Sequence, residues 1–308
     1  MPRLKTEAAK ESLLQRVRKQ RLKYVTILPS LVTILNGVCG FAAIILVSKN
    51  AFAMAGYMIL LAMIADMLDG RLARMSQSTS SFGGQLDSLC DIISFGVAPA
   101  FLMLRILEYK FGFDESNSPI ENFLQRFIWL AAAAYASCAA IRLARFNVEN
   151  EEDESAHMSF IGLPTPAAAG VIVSLVILHQ EIILPELSTR STRVYLLCGD
   201  AIVYALPFSL LAVAALMVSR IRYPHILNQY LKGKKPFAHL MRALLFLALV
   251  IWSRQAALVL IFCGFAASGF FKWFYYKVLK KRTFELLPEQ STHTAIDAAD
   301  NPHAADST

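Results

Sequence analysis

Residues 59–98 read ILLAMIADMLDGRLARMSQSTSSFGGQLDSLCDIISFGVA. Two apolar stretches each carry a pair of aspartates, Asp66 and Asp69 late in the first, Asp87 and Asp91 early in the second. The polar link 75–82 is short, so the two stretches form neighbouring helices. A carboxylate in a membrane helix costs about 2.5 kcal/mol or more on insertion scales, and four in one helical hairpin demand compensation. The i, i+3 and i, i+4 spacings put each pair on one helix face. Asp66 lies about 12 Å of helix rise before the first helix ends near Arg74, and Asp87 and Asp91 lie one or two turns into the second. All four can therefore converge just inside one membrane boundary. Like charges this close cannot all stay ionised without cations, and hard oxygen ligands at this density suit Mg²⁺ or Mn²⁺.

The residues around the aspartates fit a ligand. Gly70, directly after Asp69, and Gly83, four before Asp87, remove side chains where a substrate or a neighbouring backbone must approach. Ala73 is small, and Arg74 supplies a fixed positive charge suited to phosphate.

Composition extends the membrane reading to the whole chain. Of 308 residues, 56% are hydrophobic and only 17% charged, and the mean hydropathy is +0.48. The apolar residues bunch into stretches of bilayer-crossing length, which excludes a soluble enzyme, a coiled coil and a disordered chain. Eight segments are expected, at about 28–48, 51–74, 84–107, 127–147, 163–182, 200–220, 238–252 and 256–279, making an all-α polytopic bundle. The net charge of +7 points to membrane topology rather than nucleic acid. With the N-terminus inside, 23 of the 30 basic residues fall on the inner side, so both termini face the cytoplasm. No cleavable signal peptide is expected, since the first residues are polar and basic. Residues 1–25 form a basic juxtamembrane segment, read either as an amphipathic helix on anionic headgroups or as a solvated lead-in. The acidic run 149–154 reads as a solvated loop, and residues 283–308 as a disordered tail. Cys39, Cys90, Cys138, Cys198 and Cys263 lack metal spacing and read as small packing residues rather than disulfides.

The pattern Asp66-x2-Asp69-Gly70-x2-Ala73-Arg74-x8-Gly83-x3-Asp87-x3-Asp91 resembles the signature of the CDP-alcohol phosphatidyltransferase family. The resemblance implies a six-helix core, here 26–225, with two further helices in 226–282. It also implies a homodimer and a divalent-metal site at the cytoplasmic face of the inner membrane. Three further stretches are similar to the phosphatidylserine synthase branch: Arg142-Leu-Ala-Arg145-Phe-Asn147, Phe160-Ile-Gly162-Leu-Pro164-Thr-Pro166, and Ser94-Phe95-Gly96-Val-Ala-Pro99. Thr33, Asn36 and Gly40-Phe41 agree as well, whereas Ser30 departs from the asparagine expected after Pro29. On that resemblance the substrates are CDP-diacylglycerol and L-serine, and the products phosphatidylserine and CMP. Asp66, Asp69, Asp87 and Asp91 would bind metal, with Asp91 also the general base. Gly70, Ala73, Arg74 and Gly83 would line the nucleotide site, and Arg142 and Arg145 would bind the serine carboxylate or the phosphate, with Asn147 nearby. Two alternatives stand beside this: another acceptor (glycerol 3-phosphate, inositol phosphate or choline), or a divalent-cation transporter. Against transport, the acids crowd one side of the membrane.

Overall fold

In a bilayer core each peptide N–H and C=O must be satisfied within its own segment, which leaves helices as the form for long apolar runs. A computed structural model of the chain describes residues 30–76, 81–112, 119–152, 160–185, 193–223 and 253–275. The helices are α1 (Ser30–Ser48), α2 (Phe52–Ser76), α3 (Ser81–Asp91), α4 (Ala98–Phe111), α5 (Pro119–Glu152), α6 (Thr165–Leu178), α7 (Arg193–Val218) and α8 (Arg254–Tyr275). A π-helical segment, Ile92–Val97, joins α3 to α4 without a break, and a second, His179–Ile183, follows α6. Seven rods among the described residues are long and apolar enough to cross a membrane, α3 and α4 counting as one. The all-α membrane bundle expected from the sequence is what forms. β1 (Phe160–Ile161) and β2 (Arg222–Tyr223) add a two-residue antiparallel ladder.

The expected segments map onto these helices with shifted ends. The segment 127–147 is part of a 34-residue helix that starts at Pro119 and continues through Glu152. The acidic run is thus helical through 152 rather than a loop: beyond the membrane, glutamate is a good helix former and water satisfies the last carbonyls. The segment 200–220 begins earlier, at Arg193. The segment 238–252, the lead-in 1–25 and the tail 283–308 lie outside the described residues. The described cysteines are all free thiols, with Cys39 and Cys90 buried, Cys138 and Cys263 half-buried, and Cys198 exposed.

α6 forms the centre of the bundle. Ala168, Ala169, Ile172, Val173, Val176 and Ile177 are fully buried. Small residues let its neighbours approach closely, as helix packing in lipid favours. Gly56 of α2 leaves room for Val173 and Ile177, and Gly170 of α6 receives the ring of Phe262 from α8. Gln255 at the start of α8 donates to Glu181, beyond the C-terminal end of α6. The β1–β2 ladder lies at the opposite end, where α6 begins and α7 stops.

The start of α6 is fastened by a turn that only glycine can make. Gly162 has φ +82°, and a β-carbon there would collide with the Met217 carbonyl oxygen. Its N–H donates to the Ile221 carbonyl at 2.8 Å, and the Leu163 N–H to the Leu216 carbonyl at 3.1 Å. Pro164 then caps α6, and Pro166 in the first turn sacrifices no helical hydrogen bond. Gly162→Ala is therefore expected to cost about 1–3 kcal/mol from backbone strain and the carbonyl clash. A lowered Tm of the detergent-solubilised protein would show it, and an unchanged Tm would mean that the α6–α7 junction tolerates another turn.

Candidate active site

The second and third turns from the end of α2, together with α3, carry the acidic residues. One carboxylate oxygen from each of Asp66, Asp69 and Asp87 lies within 4.8 Å of the others. Asp69 is buried, and Asp66 and Asp87 are half-buried. Asp69 accepts hydrogen bonds from the Thr33 side chain and the Gly70 backbone N–H. Its Oδ2 and the Oδ1 of Asp87 are buried with no hydrogen-bond partner in the protein. Buried acceptors are ordinarily satisfied, so two orphaned carboxylate oxygens in one acidic cluster fit a hard cation. The residues present match a hard divalent cation in donor type and charge.

Asp91 lies one turn beyond Asp87 and is 6% exposed. It stands beside the three-carboxylate cluster, within electrostatic range of all three members. One of its oxygens accepts from Asn36 Nδ2 at 2.8 Å. Arg142 reaches in from α5, itself buried, and faces Asp91 and Asp66 electrostatically. It donates to Thr165 Oγ1 at 3.1 Å and packs over the Phe146 ring at 5.8 Å. Its Nε, also buried, has no partner. Among the described side chains, Arg142 is one cation facing a group of four carboxylates.

The other two residues expected beside Arg142 have partners of their own. Arg145 donates to the Val218 carbonyl at 3.2 Å, where a cation complements the C-terminal end of α7. Asn147 Nδ2 donates to Ser88 Oγ at 2.9 Å, tying α5 to the residue after Asp87. Gly70 faces open space, with nothing within 4 Å of where a β-carbon would stand. Its glycine is therefore not demanded by packing and leaves room over Asp69. Gly83 lies in the first turn of α3, and Ala73 and Arg74 in the last turns of α2; the side chains of Ala73 and Arg74 lie outside the described residues.

Sequence reasoning gave no role to two residues that the fold brings in from α1. Thr33 meets Asp69 and Asn36 meets Asp91, both nearly or fully buried. The signal was present: polar positions three apart, beside Gly37 and Gly40, in an otherwise apolar helix. A β-carbon at Gly37 would press on Cys90 Sγ at 2.9 Å, and one at Gly40 would overlap Ser94. Ser94 Oγ donates to the Asn36 carbonyl at 2.9 Å. The two glycines thus let α1 lie against the π segment, and Ser94 fixes its height.

The π segment has a local cause. Pro99 lacks the N–H that would bond the Phe95 carbonyl, and its ring crowds that carbonyl. The helix widens by a turn at this point, as it does where an i→i−4 bond is lost. The freed Phe95 carbonyl accepts instead from Tyr135 Oη at 2.9 Å, and Tyr135 is fully buried.

Comparison with known proteins gives consistent matches. A sequence model of a protein family described as CDP-alcohol phosphatidyltransferase matches residues 26–206. A Helicobacter pylori protein named CDP-diacylglycerol–serine O-phosphatidyltransferase is 32% identical over 250 residues, covering 81% of this chain and 92% of the relative. A Bacillus subtilis protein of the same name is 30% identical over 198 residues, 64% of this chain and 90% of its own. A Methanocaldococcus jannaschii protein, again so named, is 38% identical over 142 residues, 46% of this chain and 56% of its own.

Tyr135→Phe keeps the ring and strands the Phe95 carbonyl where neither water nor Pro99 can satisfy it. The expected loss is about 1–3 kcal/mol, that of an unsatisfied buried acceptor, read as a fall in Tm. A Tm equal to that of the unaltered protein would show that the wide turn stands without the hydroxyl.

Proposed function

The chain belongs to the CDP-alcohol phosphatidyltransferase family, and from that premise we propose that it is a phosphatidylserine synthase of phospholipid biosynthesis. It transfers the phosphatidyl group of CDP-diacylglycerol to the hydroxyl of L-serine and releases CMP. The observation that carries this reading is the convergence of Asp66, Asp69 and Asp87 beside a separately held Asp91 and a buried arginine. The names of the relatives supply the acceptor.

Asp66, Asp69 and Asp87 would hold the divalent cation, with Asp91 adjacent. When bound, such a cation neutralises pyrophosphate charge and favours departure of CMP. Gly70, Ala73, Arg74 and Gly83 would line the cytidine diphosphate site, Gly70 contributing open space. Asp91 takes the proton from the serine hydroxyl. The serine oxygen attacks phosphorus directly, the new O–P bond forming as the bond to CMP breaks. Arg142 meets the serine carboxylate, for which its partnerless Nε is a ready donor. Arg145 and Asn147 support the site by holding α7 and α3. The acyl chains stay in the bilayer. The surplus of basic residues on one side supports an inner-membrane protein with its active site toward the cytoplasm, and the family resemblance supports a homodimer.

The test is CMP release by the purified full-length protein with CDP-diacylglycerol and labelled serine, glycerol 3-phosphate, inositol phosphate or choline. Serine-dependent release is expected, abolished by chelation and restored by Mg²⁺ or Mn²⁺. Release with another alcohol but not with serine would overturn the reading.

Two substitutions separate the roles. Asp91→Asn is expected to abolish turnover while CDP-diacylglycerol binding persists, because the amide keeps the shape but cannot take the proton. Arg142→Lys keeps charge and loses the planar fork, so the serine KM should rise roughly ten- to a hundredfold. The KM for CDP-diacylglycerol should stay within about twofold. Near-normal turnover in Asp91→Asn, or a loss of donor affinity alone in Arg142→Lys, would contradict these assignments.

A further inference from the structure

Asn36 is fully buried, and its amide has two ends with different fates. Its Nδ2 turns toward Asp91 and donates to one carboxylate oxygen at 2.8 Å. That choice leaves Oδ1 as a pure acceptor. It is buried and meets no donor in the protein. The helix cannot rotate it elsewhere, because Ser94 Oγ holds the Asn36 carbonyl and Gly37 and Gly40 seat α1 against Cys90 and Ser94. The two heavy atoms of one amide are about 2.3 Å apart, so Oδ1 stands next to the Asp91 carboxylate. The site thus presents two acceptors side by side, and the donor Arg142 Nε is left without a partner nearby.

We propose that Asn36 selects the acceptor: its Oδ1 takes a hydrogen bond from the ammonium group of the incoming amino acid while its Nδ2 holds Asp91 toward the hydroxyl. This rests on the serine reading above and deepens it. In a vicinal amino alcohol the ammonium and hydroxyl groups are both donors and lie side by side, matching an adjacent amide oxygen and carboxylate. The carboxylate at the other end of the molecule matches Arg142. An alcohol without the ammonium group leaves the Asn36 oxygen unpaired, and a site built to hydrogen-bond one group rejects an analogue that lacks it.

The experiment compares L-serine with 3-hydroxypropionate, which keeps hydroxyl and carboxylate and lacks the ammonium group. CMP release is measured on the full-length protein at saturating CDP-diacylglycerol. The unaltered protein should prefer serine in kcat/KM, and Asn36→Leu should narrow that preference roughly ten- to a hundredfold, with CDP-diacylglycerol binding retained. If both acceptors lose activity equally, Asn36 acts only through Asp91 and the proposal fails. Asn36→Ala, which adds no bulk against the π segment, gives the same readout should the leucine variant fold poorly. On the unaltered protein, L-alanine should inhibit serine turnover far better than propionate, and equal inhibition would overturn ammonium recognition. Should the unaltered protein use another alcohol and not serine, it is the acceptor assignment that falls, a result visible before any variant is made.

Discussion

Four aspartates lie in the membrane-spanning helices within a turn or two of one another, and the cost of placing them there organises the structure around them. Their mutual repulsion and loss of hydration have to be offset by donors and positive charge drawn from elsewhere. α1 sends Thr33 to Asp69 and Asn36 to Asp91. α5 sends Arg142. Even so, oxygens of Asp69 and Asp87 are left without a donor. Among the described residues the fold brings the acids together and leaves these oxygens unsatisfied, which is what the proposed cation site rests on.

The opposite end of the bundle gives the contrast. Glu181, in the second π segment, accepts from Tyr57 Oη at 2.7 Å and from Gln255 Nε2 at 2.6 Å. Those donors come from α2 and α8, so this carboxylate staples three elements through their own groups. Lys110 and Asp200 pair nearby at 2.6 Å. Among the described residues, carboxylates occur at both ends, but the orphaned carboxylate oxygens lie at one.

Helix geometry supplies the precision that the acids need. Pro99 and Tyr135 together make and stabilise the wide turn after Asp91, and that turn gives α1 a surface to lie against. Gly37 and Gly40 allow the approach. With α1 seated in this way, Asn36 reaches Asp91.

The sequence by itself determined the membrane bundle, the adjacency of α2 and α3, and the grouping of their aspartates. Those follow from local quantities: length of apolar runs, spacing along a helix, and a link too short to separate its ends. It did not determine that Arg142 and Arg145, three residues apart, would part company, one facing the acids and the other Val218. Nor did it give Thr33 and Asn36 their partners, since Asn36 and Asp91 are 55 residues apart. Which side chain meets which depends on how far each helix is rotated about its axis and how closely it packs. Those are settled by contacts such as Gly40 against Ser94 and Gly162 against Met217, between residues remote in the chain, and only the tertiary structure decides them.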